Sequence, residues 1–561
     1  MISRSLLCLL LVAVLCPPTQ AGALEPQILE RIKQEATERS EVMETVFQLS
    51  DVHGARLAGS PAYRRAADWS VAALKAAGID DASLDVWGDF GRSWSAQKVA
   101  VHMVLPEAKT LLAQVMPWSG GTDGAIDAKL VYAPLWAAND TSNHGDMEVL
   151  AQRIEAYKKQ YRGKLKGKIV LISEPVSITL TDYVISERFD EQGLAELSEP
   201  VSGGTTRKID WITALPEDDE ASERLLESVP LEIESDYWEL ELRINSRLHQ
   251  FLREEQVAAV LMASSTGPGG TVSADTYASY HPEHATAPPT AIILAEQYNR
   301  ILRLLDRGMP VTVSVDIDAT LHAQNTPDFN VIASLPGGTK ANEIVMLGAH
   351  LDSWMGGTGA ADNAAGVAIV MEAMRILKEL ELPLKRTVRM ALWGAEEQNY
   401  YGSRAYVKQN FADPITMTVK PDHKNLSAYF NLDNGGGKIR GIYLEENASA
   451  RPLFEQWLSA FSDMGASAVS IRKSLYTDHQ AYNGVGLPGF QFIQDPLEYE
   501  NQIHHSNVDT LDHLVEADLM QASAVLAGIV YLAANSEEKV PRKTMPGPLP
   551  PRGPLPLILR D

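Results

Sequence analysis

The sequence predicts an α/β protein in which a mostly parallel or mixed sheet is covered by helices on both faces. Between Asn330 and Ala534 the apolar pattern alternates between strand-like and helix-like segments, which is typical of such a sheet. Three strand patterns in this region end in acidic or histidine side chains. Because open α/β sheets bind ligands at the carboxyl ends of their strands, we expect these side chains to form a functional site.

The 561-residue chain is too long for one ordinary core, so two folded units are expected, with three as the alternative. We assign residues 24–120 and 321–540 to one α/β unit. A smaller, β-rich unit at residues 121–320 is predicted to be inserted into it, and residues 541–561 form a proline-rich, extended tail. Within the insert, residues 187–253 are acidic and helix-prone, and they are interpreted either as an exposed helical excursion or as a lid.

The secondary structure follows from apolar periodicity and from Gly and Pro stops. Its predicted helices cover residues 25–49, 61–77, 364–380, 451–464 and 517–534. Its predicted strands include residues 84–87, 98–105, 168–172, 257–262, 311–317, 344–350, 387–393, 427–432 and 490–493.

The N-terminus has the pattern of a secretory signal peptide. One cation, Arg4, precedes an apolar run from Leu6 to Cys16, and small residues follow at positions 21–23. Residues 1–23 are therefore predicted to be removed, and the protein to be secreted or periplasmic. Both cysteines lie in this segment, so the mature chain has no disulfide and no thiolate site. No later segment is predicted to span a membrane.

The charge balance limits the binding partners. Lys and Arg number 49 against 73 Asp and Glu, a formal charge of −24. Nucleic acids and anionic membranes need a cationic face, so neither is expected as the main partner.

The strand-end residues have the chemistry of a dinuclear zinc site. Such a site needs imidazole and carboxylate ligands and one shared anion. His350 ends one strand pattern, and Glu397 and Asp433 follow two others. Asp362 opens the next helix and is placed to bridge, and a histidine of the pair at 504–505 completes the set. A pair of metal ions acidifies water, which predicts a hydrolase.

Two further acids have predicted roles around these ligands. Adjacent side chains at a strand end diverge, so Glu396 and Glu397 cannot both bind metal. We assign Glu397 as the ligand and Glu396 as the general base. Asp352 is predicted to accept the free ring N–H of His350 and so to fix its tautomer.

These segments resemble the five motifs of the M28 family of dizinc exopeptidases. The motifs are His350-Leu351-Asp352-Ser353-Trp354, Gly359 to Gly366 around Asp362, Leu392 to Gln398, Asn431-Leu432-Asp433, and His505 to Thr510. The doubled histidine and the Leu-Asp-Ser-Trp run are similar to a carboxypeptidase branch of the family. The insert resembles a protease-associated (PA) domain.

The resemblance implies a zinc-exopeptidase fold that holds two zinc ions per chain. His350 and Asp433 would coordinate one zinc ion, and Glu397 and His505 would coordinate the other. Asp362 would bridge the two ions. It also implies a cis peptide bond after Asp362. His504 stands where several relatives have a tyrosine, and we expect it to donate a hydrogen bond to the reacting carbonyl oxygen. The segment Tyr476 to His479 matches a motif that lines the substrate pocket, so His479 is expected either to touch substrate or to pack in the core.

The expected function is hydrolysis of terminal bonds in short peptides or dipeptides, with short peptides as the substrates. Aminopeptidase activity is the alternative direction. A glutaminyl-cyclase-like enzyme and a metal-free receptor ectodomain on the same fold are the other classes considered. A homodimer is left open.

Overall fold

The computed structural model describes residues 25–560 apart from 138–139, 179–183, 201–205, 265–268, 274–275 and 323–325. The predicted signal peptide lies outside the described residues. Helices in the described ranges are α1 Pro26–Glu38, α2 Val42–Phe47, α3 Pro61–Ala76, α4 Met147–Tyr161, α5 Glu191–Ser198, α6 Asp219–Ser228, α7 Leu231–Glu254, α8 Ala295–Asp306, α9 Ala365–Glu379, α10 Tyr401–Asn410, α11 Arg451–Leu458, α12 His479–Gly484 and α13 Glu516–Asn535.

The strands form two mixed sheets. They are β1 Ser83–Asp89, β2 Trp94–Leu105, β3 Lys109–Leu111, β4 Ala113–Val115, β5 Ile126–Tyr132, β6 Ile169–Leu171, β7 Ala259–Ala263, β8 Thr290–Ile293, β9 Thr312–Leu321, β10 Pro327–Leu335, β11 Lys340–His350, β12 Arg386–Trp393, β13 Leu426–Asn431, β14 Ile439–Tyr443, β15 Ala468–Ser470 and β16 Gly489–Gln494.

The first sheet has the order β1-β10-β12-β11-β13-β16-β14-β15. Its central strand, β11, runs parallel to β12 and β13, and β13 runs parallel to β16. Four neighbouring strands therefore end at the same edge. The mixed sheet predicted from the alternation of strands and helices is confirmed.

Helices cover both faces of this sheet, as the unbroken apolar run in β11 predicts. Val345 and Leu347 belong to the core that contains α1, α9 and α13, whereas Met346 packs in the core on the other face with α10 and α12. Because successive side chains of β11 point to opposite faces of the sheet, the strand contributes apolar side chains to the cores on both faces.

Helix α13 differs from the expectation that no later segment is long and apolar enough to cross a membrane. Its 20 residues have a mean hydropathy of 1.5 over the best 18-residue window, and 89% of that window is buried within the protein. The helix is apolar on all sides because it packs against α1, α9 and the sheet.

The second sheet has the order β3-β2-β9-β5-β6-β7-β8-β4 and spans residues 94–321. Strand β2 was expected to open the first unit, but it pairs antiparallel with β9 from Trp94–Leu321 to Leu105–Thr312. Local patterning predicts that β2 is a strand but not which strand it pairs with. We propose that the inserted unit begins near residue 94, with the PA-like identity remaining a prediction.

The C-terminal tail has no regular secondary structure from residue 541 to 556, and it packs on the second unit. Leu549 and Leu559 are buried in the core that includes α4 and α7. Arg243 of α7 donates a hydrogen bond to the Leu559 carbonyl at 2.7 Å, and the Trp211 indole donates to the Pro550 carbonyl at 3.0 Å. The tail has no core of its own, but it completes that of the second unit.

Candidate metal centre and active site

Five predicted ligands converge at the carboxyl edge of the first sheet. His350 is the last residue of β11, Glu397 follows β12 and Asp433 follows β13. Asp362 lies in the turn that leads into α9, and His505 follows a helical turn after β16. Parallel pairing of the strands, which the sequence pattern predicts, is what brings these distant residues together.

The first group of ligands is His350, Asp362 and Asp433. His350 Nε2 lies 3.0 Å from Asp433 Oδ1 and 3.1 Å from Asp362 Oδ1. All three side chains are buried. Their ligand atoms lie within 4.8 Å of one another, a spacing at which one cation can contact all three.

The second group is His505, Glu397 and again Asp362. His505 Nε2 lies 3.0 Å from Glu397 Oε2 and 3.4 Å from Asp362 Oδ2. Asp362 therefore directs one carboxylate oxygen to each group. This is the arrangement expected of an acid that bridges two cations.

The donor set fits divalent metal ions that accept both nitrogen and oxygen. With Glu396, four carboxylates and two imidazoles meet in a largely buried space. Glu396 Oε1 and Glu397 Oε1 are buried and have no hydrogen-bond partner among the described residues. Unpaired buried carboxylates are costly, and bound cations would offset their charge.

Asp352 supports the site differently from the prediction. The backbone carbonyl of Asp352 lies 3.0 Å from His350 Nδ1, whereas its carboxylate is 3.8 Å away. The carboxylate instead accepts hydrogen bonds from the backbone N–H groups of Glu396 and Glu397, at 3.2 and 3.3 Å. The tautomer of His350 is thus set by the main chain, and the Asp352 side chain positions the two glutamates.

The turn around Asp362 is held by Asp509. Its carboxylate accepts hydrogen bonds from the N–H groups of Ala361 and Asp362, at 2.6 and 3.2 Å. The peptide bond between Asp362 and Asn363 is cis, as the resemblance implied.

Arg56 is a structural residue of the site that sequence reasoning missed. Its buried guanidinium donates to five carbonyls from three chain segments, those of Leu49, Gly54, Leu351, Thr358 and Gly359. Burial lowers its pKa to about 10, so the group stays cationic at neutral pH, close to Asp509 and Asp352. No local pattern distinguishes this arginine from an exposed one.

Glu396 lies beside the ligands without sharing their contacts. It is 7% exposed, and burial raises the pKa of its carboxyl well above the usual value. The side chain lines the same cavity as His350 and Asp433. This placement suits a group that receives a proton.

His504 lies at the mouth of the site. Its side chain is 39% exposed, and Nε2 lies 3.9 Å from Asp362 Oδ2. Its ring packs against the ring of His505 at an interplanar angle of 39°, with 3.9 Å between the centroids. Its role as a donor to the reacting carbonyl stays a prediction.

The candidate ligands line a cavity of about 760 Å³ that lies between the two units. The wall opposite the first sheet comes from α6 and α7, with Glu223, Glu227, Trp238 and Glu241. The acidic helices of the insert are therefore more than an exposed excursion. Lys473 also lines this cavity, as does Glu500.

His479 does not reach the cavity. The side chain is fully buried, and its Nε2 lies 3.2 Å from Glu445 Oε1. Tyr476, three residues earlier, is the member of this motif that lines the cavity. Of the two alternatives for His479, the packing one agrees with the structure.

Known proteins resemble this chain over the part that carries the ligands. Residues 330–530 match the profile of peptidase family M28. Carboxypeptidase Q from Homo sapiens is 30% identical over 254 residues, which cover 45% of this chain and 51% of the relative. Aminopeptidase YwaD from Bacillus subtilis is 28% identical over 222 residues, covering 38% and 47%. The chain thus spans about half the length of these curated relatives.

Solved structures match more of the chain. A peptidase M28 precursor from Shewanella amazonensis aligns over 94% of this chain and 99% of its own, with a TM-score of 0.60 and 23% identity. The zinc aminopeptidase BSAP from Bacillus subtilis covers 89% and 98%, with a TM-score of 0.52 and 18% identity. These matches show a shared fold. The M28 profile therefore matches the segment of this chain that supplies all five candidate ligands.

Proposed function

We propose that this protein is an exported zinc-dependent exopeptidase that hydrolyses the terminal bond of short peptides, with dipeptides as the preferred class. The observation that carries the proposal is the position of Asp362, with one oxygen directed to His350 and the other to His505. The match to the M28 profile and the similarity to relatives named carboxypeptidase and aminopeptidase support it. Export rests on the N-terminal pattern alone.

The chain's own residues would divide the work as follows. His350, Asp362, Glu397, Asp433 and His505 would hold two zinc ions, which supply positive charge near the scissile carbonyl and lower the pKa of water. Glu396 takes a proton from the attacking water and returns it to the leaving amine. His504 donates a hydrogen bond to the carbonyl oxygen as negative charge develops there.

The cavity lining supports a substrate with two charged ends. Lys473 offers a cation for a terminal carboxylate, while Glu223, Glu227, Glu241 and Glu500 offer anions for a terminal ammonium. A zwitterionic dipeptide satisfies both. Aminopeptidase action on longer peptides is the second candidate, and the excess of carboxylates over lysine favours it.

The test compares four forms of one dipeptide: free, N-acetylated, C-amidated and doubly blocked. A dipeptidase is expected to lose most of its kcat/KM on either single modification, and an aminopeptidase only on N-acetylation. A metal chelator should abolish cleavage, and added zinc should restore it. Cleavage that persists with full chelation would refute the metallopeptidase mechanism. Formation of pyroglutamate without peptide cleavage would instead indicate a cyclase.

A further inference from the structure

A second cavity lies beside the catalytic one, within the inserted unit. It has a volume of about 360 Å³, within the range of small-ligand sites. Its walls are mainly apolar and include Leu248 of α7 and Met262 of β7, together with Trp136, whose ring stacks on His144 at 3.9 Å. We call it the side cavity.

The side cavity adjoins the catalytic cavity at α7. Glu241, in the middle of this helix, lines both. A peptide bound with its scissile bond at the metal ligands therefore has a neighbouring space for one of its side chains, with Glu241 at the junction.

Two polar atoms in the wall of the side cavity lack hydrogen-bond partners among the described residues. Glu174 Oε1 and His249 Nδ1 are buried without a hydrogen bond, and no described cation forms an ion pair with Glu174 or Glu241. His249 is 7% exposed and lines the cavity wall. Burial lowers its pKa to about 4, so it is neutral at pH 7 and supplies no positive charge. Burial also raises the pKa of Glu241 to about 7.

An apolar space with two carboxylates and with no lysine or arginine among its described lining residues is suited to a long side chain that ends in a positive charge. Methylene groups would pack on Leu248, Met262 and Trp136, and the charged end would pair with the acids. A purely apolar occupant would leave Glu174 and His249 unpaired, and an anion would meet two carboxylates.

We propose that the side cavity is a specificity subsite for a lysine or arginine side chain of the peptide substrate. Glu174 and Glu241 receive its charged end, and His249 accepts one of its hydrogen bonds. The assignment of a peptide substrate rests on the proposed function, whereas the binding of the cationic group does not.

Binding is tested first, apart from catalysis. The probe is n-butylguanidinium, and its affinity for the purified, zinc-loaded protein is measured by calorimetry. Glu174→Gln should weaken binding at least tenfold, because Glu174 lines the side cavity and does not line the catalytic cavity. Glu254→Gln, at the exposed end of α7, is the matched control and should leave the affinity within twofold.

Glu223→Gln distinguishes the two cavities, since Glu223 lines only the catalytic one. If this variant weakens the probe and Glu174→Gln does not, the guanidinium binds in the catalytic cavity and the proposal is overturned. The same conclusion follows if the wild-type protein binds n-butylguanidinium no better than neutral pentanamide.

Specificity is tested second, as the ratio of kcat/KM for a lysine peptide to that for the matching norleucine peptide. The ratio should exceed ten in the wild type, fall towards one in Glu174→Gln and Glu241→Gln, and persist in Glu254→Gln. An unchanged ratio in both subsite variants would overturn the subsite. If no peptide is cleaved by any form, the proposed function fails, while the calorimetric result still decides whether the side cavity binds cations.

Discussion

At the scale of single residues, the site depends on Asp and Glu side chains whose orientation is fixed by hydrogen bonds to neighbouring residues. The five candidate ligands and Glu396 could be predicted from sequence because each follows a strand or opens a helix, and their roles as ligands and base stay predictions. The role of Asp352 could not be named correctly. Whether its carbonyl or its carboxylate faces His350 depends on the backbone after β11, and the carboxylate turns instead to the N–H groups of Glu396 and Glu397.

Glu396→Gln should lower kcat by a factor of about 10² to 10⁴, since the amide cannot take up a proton. Zinc content should not change, because Glu396 lies beside the ligand groups. Activity and zinc per chain are measured together, with Glu379→Gln at the exposed end of α9 as the control. A Glu396→Gln enzyme with wild-type kcat would exclude Glu396 as the base.

Asp352→Asn should weaken zinc binding by a factor of about 10 to 100, the usual cost of losing a group that orients a ligand. The amide offers one acceptor oxygen where the carboxylate serves two N–H groups, so Glu397 loses its fixed position. Titration against a competing chelator measures this. Equal affinity in mutant and wild type would show that the backbone alone holds the glutamates.

At the scale of elements, the loop between β11 and α9 is organised by one buried arginine. Arg56 bonds the Leu351, Thr358 and Gly359 carbonyls from a segment some 300 positions earlier in the chain. Strands and helices can be predicted from the periodicity of their apolar residues. The contacts of Arg56 with distant carbonyls follow no periodic pattern, so the sequence does not predict them. The same limit applies to β2, whose partner strand lies about 200 residues away.

Arg56→Met should lower the free energy of unfolding by about 3 kcal/mol or more, because several buried carbonyls lose their donors at about 1 to 3 kcal/mol each. Arg65→Met, at an exposed position of α3, should change it by less than about 0.5 kcal/mol. Urea denaturation measures both. Equal midpoints for the two variants would contradict the structural role of Arg56.

At the scale of the whole molecule, the two sheets and the tail act together to form the cavity. The candidate ligands lie at the edge of the first sheet, and α6 and α7 of the second unit supply the opposite wall. The tail in turn packs on α7 through Leu559 and Arg243. The sequence predicted two units, an acidic helical segment and a proline-rich tail. It did not predict that these parts touch, because their contacts join distant residues.

Removal of residues 541–561 should lower the midpoint of thermal unfolding by several degrees, since the Leu549 and Leu559 packing surface becomes exposed. The truncated protein should also show a higher KM, because α7 loses its support. Calorimetry and peptide kinetics measure the two effects. An unchanged midpoint would show that the tail contributes nothing to the second core.

The most direct test is a crystal structure with anomalous diffraction recorded on both sides of the zinc absorption edge. Two zinc peaks are expected about 3.5 to 4 Å apart, one near His350 and Asp433 and the other near Glu397 and His505, with Asp362 contacting both. A single peak, or a pair in which Asp362 contacts only one ion, would contradict this expectation.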